Sequence, residues 1–313
     1  MTSRRLLRLA LGVGIALIWV AGALAWTAQG VVVSYTGPGD IVAFSSWYGL
    51  RAYSGTYAAG VGKLINIRNT ATNETCDVPS LTTGGFGLVS GCSGSSSGDT
   101  VAVFCALSSG TCTVTEAYDQ VGTNHVSQST AANQPALTAS CLGSFYCIAP
   151  AASTNAALLG AGNVTPATGV VALAGVAQRT SGTNPAVIIS ENGVSAGSGF
   201  NQLSQNSSAN NWRLSNNTTS LVFSATDSKW HAANGNRNGA STVANLDGTE
   251  TTGSVTGVTV AGATRFARGA TSTTNQVEEA GYLDNSTFSS GNRTSLCQNE
   301  QAYYGASNFG ATC

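Results

Sequence analysis

Charge is what this 313-residue chain has least of. Only 9% of its residues are Asp, Glu, Lys or Arg, against about 25% in an average soluble domain. Proline is scarce at 6, methionine occurs once and histidine twice. No basic run follows the first eight residues and the net charge is −1, so a nucleic-acid partner held by phosphate neutralisation is excluded. With so few Glu, Lys and Arg to build helix surfaces, a mostly helical protein is excluded as well. What is present is 38 glycines, much Ser, Thr and Asn, and 42% hydrophobic residues. That is enough apolar material for a core and argues against compositional disorder. The composition describes a β-protein surfaced with Ser, Thr, Asn and Gly, of a kind made for the outside of a cell.

The N-terminus agrees. Arg4, Arg5 and Arg8 precede an apolar run from Leu9 to Val20, and Ala23-Leu-Ala25 offers small residues at signal-peptidase spacing. Residues 1–25 read as a signal peptide and 26–313 as one mature domain, starting at Trp26. The competing reading is an uncleaved anchor, since Leu9 to Trp26 is about long enough to span a bilayer. A membrane association is expected only in that case. Removing three of the 13 basic residues leaves 10 against 14 acidic ones, a mature net charge of −4. The expected location is secreted, periplasmic or at the cell surface.

Eight cysteines, all beyond the cleavage site, suit that compartment. They fall into sequence-local pairs, which predicts disulfides Cys76–Cys92, Cys105–Cys112, Cys141–Cys147 and Cys297–Cys313. Zinc is disfavoured: there is no C-x2-C, and His125 and His231 are the only imidazoles. No cofactor or metal is expected.

Strand-like runs recur between Gly, Asn and Ser punctuation: Lys63–Arg68, Thr100–Phe104, Thr111–Thr115, Val170–Ala174, Ala186–Ile189, Ser220–Phe223 and Gly257–Val260. Several alternate apolar with polar residues, the mark of a sheet with one face in the core. Val170–Ala177 is apolar throughout and reads as a central strand. Trp47–Ala59 and Arg293–Tyr304 read as helices, the second capped by Asn292 or Ser290. Asn234–Gly239 reads as a polar loop, and Asn245-Leu-Asp247-Gly248 as a hairpin turn. Many strands, few short helices and a long chain without a linker give an all-β, two-sheet jelly roll.

Four stretches then carry a resemblance. They are Gly37-Pro-Gly-Asp40-Ile with Tyr48-Gly-Leu-Arg51-Ala-Tyr53-Ser and Leu64–Arg68; Phe104-Cys105-Ala, Thr111-Cys112 and Ala117-Tyr118-Asp119-Gln120-x-Gly122-x-Asn124-His125-x-x-Gln128; Glu191-Asn192-Gly193; and Gln298–Tyr304. In this order they resemble the catalytic module of α-L-arabinofuranosidase B, glycoside hydrolase family 54, over about residues 37–305. The resemblance implies a concanavalin A-like sandwich, a secreted glycosidase acting with retention on arabinose-containing glycans, a polysaccharide or oligosaccharide partner, and a short disulfide before Tyr-Asp-Gln, here Cys105–Cys112.

Retaining hydrolysis needs two carboxyls about 5–5.5 Å apart. The resemblance makes Glu191 the nucleophile, since the family nucleophile is the Glu of a Glu-Asn-Gly at a strand end; the competing reading is a solvated turn residue. The family acid/base is an Asp in Gly-Gly-Asp-Asn-Ser, whereas Phe266–Thr273 holds no Asp. Either Glu278 or Glu279 takes that role, Glu279 being the expected catalytic residue, or the chain does not hydrolyse furanosides in this way. As strand neighbours, the two face opposite sides. Asn192, Asp119, Trp230 and His231 are the candidate sugar contacts, with turn stabilisation the competing role for Asp119. Trp47, Trp212, Tyr53, Tyr57 and Tyr118 are further stacking candidates, and core packing is the usual fate of such residues. The same fold without turnover, as a carbohydrate-binding or structural surface module, is the alternative function.

Overall fold

The computed structural model describes residues 34–150, 157–164, 170–181, 186–193, 199–205, 211–216, 219–225, 229–256, 262–269, 274–284 and 288–313. The predicted signal segment 1–25 and Trp26 lie outside them. From Tyr35 to Cys313 the chain forms one compact unit, built on antiparallel pairing.

The first sheet runs, edge to edge, through β3 (Thr75–Pro79), β2 (Lys63–Asn69), β4 (Cys112–Ala117), β5 (Val126–Ser127), β8 (Leu158–Val164), β17 (Gly262–Arg268), β10 (Ala186–Gly193), β11 (Gly199–Gln205), β12 (Asn211–Ser215) and β13 (Ser220–Ser224). The second runs through β1 (Ser46–Gly49), β18 (Thr274–Asp284), β9 (Val171–Ser181), β14 (Trp230–Arg237), β15 (Gly239–Leu246) and β16 (Thr249–Val255). The hairpin β6 (Ala136–Leu142)–β7 (Phe145–Ala149) joins them, pairing with β4 on one side and β18 on the other. Across the sandwich β10 lies against β18, β11 against β9 and β12 against β14. Ile188, Leu203, Trp212 and Leu214 from one sheet meet Leu173, Ala177, Ala233 and Val277 from the other.

The uniformly apolar β9 has a physical reason. Val171, Leu173 and Ala177 enter the inter-sheet core. Ala172, Ala174 and Val176 point the other way, toward residues of α3 (Ser290–Tyr304). A strand covered on both faces has no polar alternation to show. Helix α3 buries Arg293, Leu296, Cys297, Glu300, Gln301 and Tyr304, a stripe at helical spacing. Its cap is Ser289, whose hydroxyl accepts from the Asn292 amide, one residue before the sequence expectation.

Three local expectations are corrected. Trp47–Ala59 is not one helix: it divides into β1 and the single-turn α1 (Gly55–Ala59), capped by Ser54. Trp47 is instead committed to a strand pair, where Gly281 lets it lie flat; a Cβ there would sit 2.0 Å from the indole. Asn234–Arg237 of the expected Asn234–Gly239 loop is strand instead, since β14 is paired on both edges and buried along its length, and the turn is left to Asn238 and Gly239. Thr100–Phe104 is helix α2 (Val101–Ala106), not a strand. Thr100 caps it by accepting from the Val103 amide. At the other end, the Asn69 side-chain amide donates to the carbonyls of Phe104 (2.8 Å), Cys105 (3.2 Å) and Leu107 (3.3 Å), the acceptors a helix end leaves unmatched. The adjoining Cys105–Cys112 bridge ties the segment to β4. All eight cysteines pair, as 76–92, 105–112, 141–147 and 297–313.

Asn69 is fully buried, and its carbonyl oxygen also accepts from the Ala71 and Thr72 amides. Asn69→Ala strands several buried groups at once. The expected loss is about 2–4 kcal/mol, read as a lower urea midpoint at unchanged slope.

Candidate functional site

Two regions collect the residues singled out from the sequence. The first is the Glu191 end of β10. Backbone pairing sets Glu191 opposite Thr264 of β17 and Phe200 of β11. The side chains of Glu191 and Asn192 lie outside the described residues. Thr264 is buried, and its hydroxyl accepts from the Asn124 side-chain amide at 3.0 Å. Asn124 belongs to the Tyr118–His125 loop, so the most specific motif of the sequence is delivered to the strand beside Glu191.

That loop is held by its own polar groups. Asp119 is buried and its carboxylate accepts backbone N–H bonds from Trp47, Val121 and Asn124, at 3.2 Å each. His125 Nδ1 accepts from the Asp119 amide at 2.9 Å. The Gln120 side chain donates to the Gly49 and Arg51 carbonyls at 3.1 Å and accepts from the Tyr53 amide at 2.7 Å. These bonds weld the loop to β1 and the segment after it, which is the turn chemistry expected for Asp119.

The second region lies between β18 and α3. Glu278 and Glu279 were expected on opposite faces, and a bulge changes this. Val277 pairs with Ala177 and Glu279 with Val176, so Glu278 is an extra residue on β18. Val277 and Ala280 both enter the inter-sheet core, while both carboxyls lie toward α3. Bulges re-aim side chains in this way. Glu279 is fully buried in an ion pair with Arg51, whose Nε lies 3.0 and 2.8 Å from its two oxygens and whose Nη2 lies 2.8 Å from Oε1. Opposite it stands Gly49, where a Cβ would come within 2.7 Å of Glu279 Cβ. The guanidinium rests over the rings of Tyr303 and Tyr304 at 4.8 and 5.2 Å. Burial pushes the Glu279 carboxyl up, and Arg51 pulls against that shift.

Glu278 has no such cation. It is 1% exposed, and neither oxygen has a hydrogen-bond partner among the described residues. Burial first, then the charge of Glu279, holds its carboxyl well above the ordinary 4.5, with Arg51 opposing. It lines a cavity of about 230 Å³ with Leu50, Phe86, Phe145, Tyr146, Tyr303 and Tyr304. Glu300 of α3, also fully buried and without a hydrogen-bond partner among the described residues, is raised for the same leading reason, burial, with Glu279 adding to it.

No protein-family model matches the chain, and comparison with curated proteins finds no match. Among solved structures it is similar to a glutamate-to-glutamine mutant of a GH54 α-L-arabinofuranosidase soaked with 4-nitrophenyl α-L-arabinofuranoside. The TM-score is 0.57 at 15% identity, over 86% of this chain and 66% of that one. The fold is that of the GH54 enzyme. Weaker likenesses are a Trypanosoma rangeli sialidase bound to a difluoro sugar acid (TM-score 0.41, 10% identity, 59% of this chain and 31% of that) and the botulinum neurotoxin serotype G binding domain (TM-score 0.40, 11% identity, 60% and 50%).

The remaining candidates sit elsewhere. Trp230 is buried, donates to the Cys141 carbonyl at 3.0 Å and packs with Phe309 and Tyr304. His231 is buried with Nδ1 2.5 Å from Asp247 Oδ2, its ring edge-on to Trp212. It lines a separate cavity of about 150 Å³ with Phe223, Asp247 and Thr251. Asp247 also opens the β15–β16 hairpin, with Asp247 and Gly248 both at positive φ. Trp47 and Trp212 are core residues. Glu74, Cys76 and Cys92 converge closely enough to suggest a metal site. Their sulfurs are shared in a disulfide, however, and Glu74 accepts from the Ser96 amide and hydroxyl. Sequence reasoning missed Arg51, Glu300, Tyr303 and Tyr304 as one cluster. The available signal was charge itself, in a chain with so little.

Arg51→Met leaves Glu279 buried without its cation, an expected cost of about 3–5 kcal/mol. Adding Glu279→Gln should recover most of it, which a double-mutant cycle by denaturation checks. A carboxyl raised above its unfolded value stabilises most below that value and loses the contribution as pH rises through the folded pKa. Relative to wild type, Glu278→Gln should therefore gain stability steadily from about pH 4.5 upward, as followed by urea unfolding across pH.

Proposed function

We propose that this protein recognises arabinose-bearing glycans outside the cell, with the β10–β17 strand end and the Tyr118–His125 loop as the sugar-facing edge and Glu191 as the carboxylate there. The observation carrying this reading is the convergence at Thr264: its backbone pairs with Glu191 and its hydroxyl holds Asn124. A strand end and loop that carry hydroxyl and amide groups, here Thr264 and Asn124, suit a polyol, whose hydroxyls both donate and accept. The arabinofuranoside soaked into the GH54 structure of the same fold supports the sugar class. Four disulfides support export to an oxidising compartment.

The finer form of this reading is α-L-arabinofuranosidase-like hydrolysis with retention, Glu191 attacking the anomeric carbon. It requires a second carboxyl about 5–5.5 Å away, able to give up and regain a proton. Glu279 is bound through both oxygens to Arg51, and freeing it would leave two uncompensated buried charges. This favours recognition without turnover, the second reading drawn from the sequence, over hydrolysis through Glu279.

The exported chain should bind arabinan or arabinoxylan saturably. Glu191→Gln should weaken binding about tenfold, the range of a lost hydrogen bond to a charged group. Release of nitrophenol from 4-nitrophenyl α-L-arabinofuranoside should not exceed the buffer rate. Turnover that Glu191→Gln abolishes would establish hydrolysis instead. Neither binding nor turnover would defeat the glycan reading altogether.

A further inference from the structure

The pocket beside α3 has a chemistry that the glycan reading does not use. Its walls are aromatic: Phe86 stacks with Tyr146 at 5.4 Å between centroids, and Phe145 packs on Tyr303 and Tyr304 at 5.2 and 5.1 Å. Its one carboxyl, Glu278, is 99% shielded from solvent, borders the cavity, and has no hydrogen-bond partner among the described residues. The surroundings are over-supplied with acid. Glu278, Glu279 and Glu300 all lie in the field of the buried cation Arg51, which both Glu279 oxygens already engage. Buried carboxyls are ordinarily paired or hydrogen-bonded, and an orphan calls for an explanation.

We propose that this cavity is a binding site for a small organic ammonium ion, received among the aromatic side chains of Phe86, Phe145, Tyr146, Tyr303 and Tyr304 and neutralised by Glu278. Ring faces attract cations, most strongly where water is excluded. Arg51 over Tyr303 and Tyr304 shows that this part of the protein already holds one cation in such a manner. At about 230 Å³ the cavity has room for a trimethylammonium head group with a short substituent. A neutral sugar would satisfy the carboxyl but makes no use of the excess of acid. An anion would face Glu278 with Arg51 already engaged.

The site has a built-in proton linkage. The groups around Glu278 are Glu279 on its own strand, Arg51 after β1, Glu300, Tyr303 and Tyr304 on α3, and Tyr146 on β7. Burial raises Tyr146 and Tyr304 and pushes Tyr303 to about 12, so the tyrosines stay neutral. Arg51 stays charged. An arriving ammonium therefore displaces a proton from the Glu278 carboxyl to bulk water, with no covalent change.

The test is isothermal titration of the intact protein with choline and with 3,3-dimethyl-1-butanol, its uncharged isostere, in buffers of different ionisation enthalpy. Choline should bind with release of about one proton, tightening about tenfold per pH unit while Glu278 is protonated in the empty site. The neutral isostere should bind at least tenfold more weakly. Glu278→Gln, near-isosteric and unburdened by a buried charge, should lose that preference and the proton release while keeping a wild-type far-UV spectrum. Tyr146→Leu, on the half-buried wall, should weaken choline several-fold even if Glu278→Gln folds poorly. Equal binding of choline and its isostere, binding without proton release, failure of choline to bind, or displacement of choline by methyl α-L-arabinofuranoside would each overturn the proposal.

Discussion

The buried pair of Arg51 and Glu279 is the constraint around which the rest of this molecule is arranged. Taking both charges out of water costs several kcal/mol each, repaid only by close geometry. That geometry is supplied from three directions. The segment after β1 brings Arg51, β18 brings Glu279, and α3 lays Tyr303 and Tyr304 under the guanidinium. Gly49 opens the space in which the carboxylate stands. Neither Arg51 nor Glu279 can shift without leaving a bare buried charge, and α3 cannot shift without uncovering the guanidinium. The pair thus fixes where α3 sits on the second sheet, and the Cys297–Cys313 bridge then ties the chain's last residue to that helix.

A chain with so few charges would be expected to keep them at its surface for solubility. Among the described residues, six of the acidic side chains are instead buried: Asp77, Asp119, Asp247, Glu278, Glu279 and Glu300. Ser, Thr and Asn do the solvating, which frees carboxylates for internal work. Asp119 collects three backbone amides and closes a loop. Asp247 bonds to His231 and to the Ala232 amide. The bulge at Glu278 belongs to the same economy. It keeps a carboxyl out of the inter-sheet core and directs it to a cavity whose lining includes Tyr146, Tyr303 and Tyr304.

Much of this was legible in the sequence where the deciding forces are local. Alternating apolar residues marked β2, β4 and β13, and the Asp247-Gly248 turn marked the β15–β16 hairpin. Cysteine spacing marked all four bridges. What escaped depends on distant partners. Thr100–Phe104 carries strand-like residues, and becomes a helix because Asn69, more than thirty residues away, satisfies its terminal carbonyls. Asn234–Arg237 reads as a loop until β9 and β15 pair on either side. The Glu278–Glu279 placement was wrong in sense because alternation assumes no bulge, and nothing in Val277–Ala280 announces one. Arg51 lies in the Tyr48–Tyr53 motif, but its partner is 228 residues away.

The most specific motif, Tyr118 to His125, is built from residues that hold the framework. Gln120 and Asp119 fasten the loop to β1, and Asn124 fastens it to β17. Residues with such roles persist as long as the fold does, whatever becomes of the reaction. At 15% identity to the GH54 enzyme structure, a resemblance concentrated in these positions is evidence of a shared scaffold. It carries no information about catalytic carboxyls. Fold and reaction are separable in this way because sites are grafted onto folds. The framework motif therefore argues for the scaffold, and the bonding of both Glu279 oxygens to Arg51 argues against that carboxyl serving as the second one in a hydrolysis.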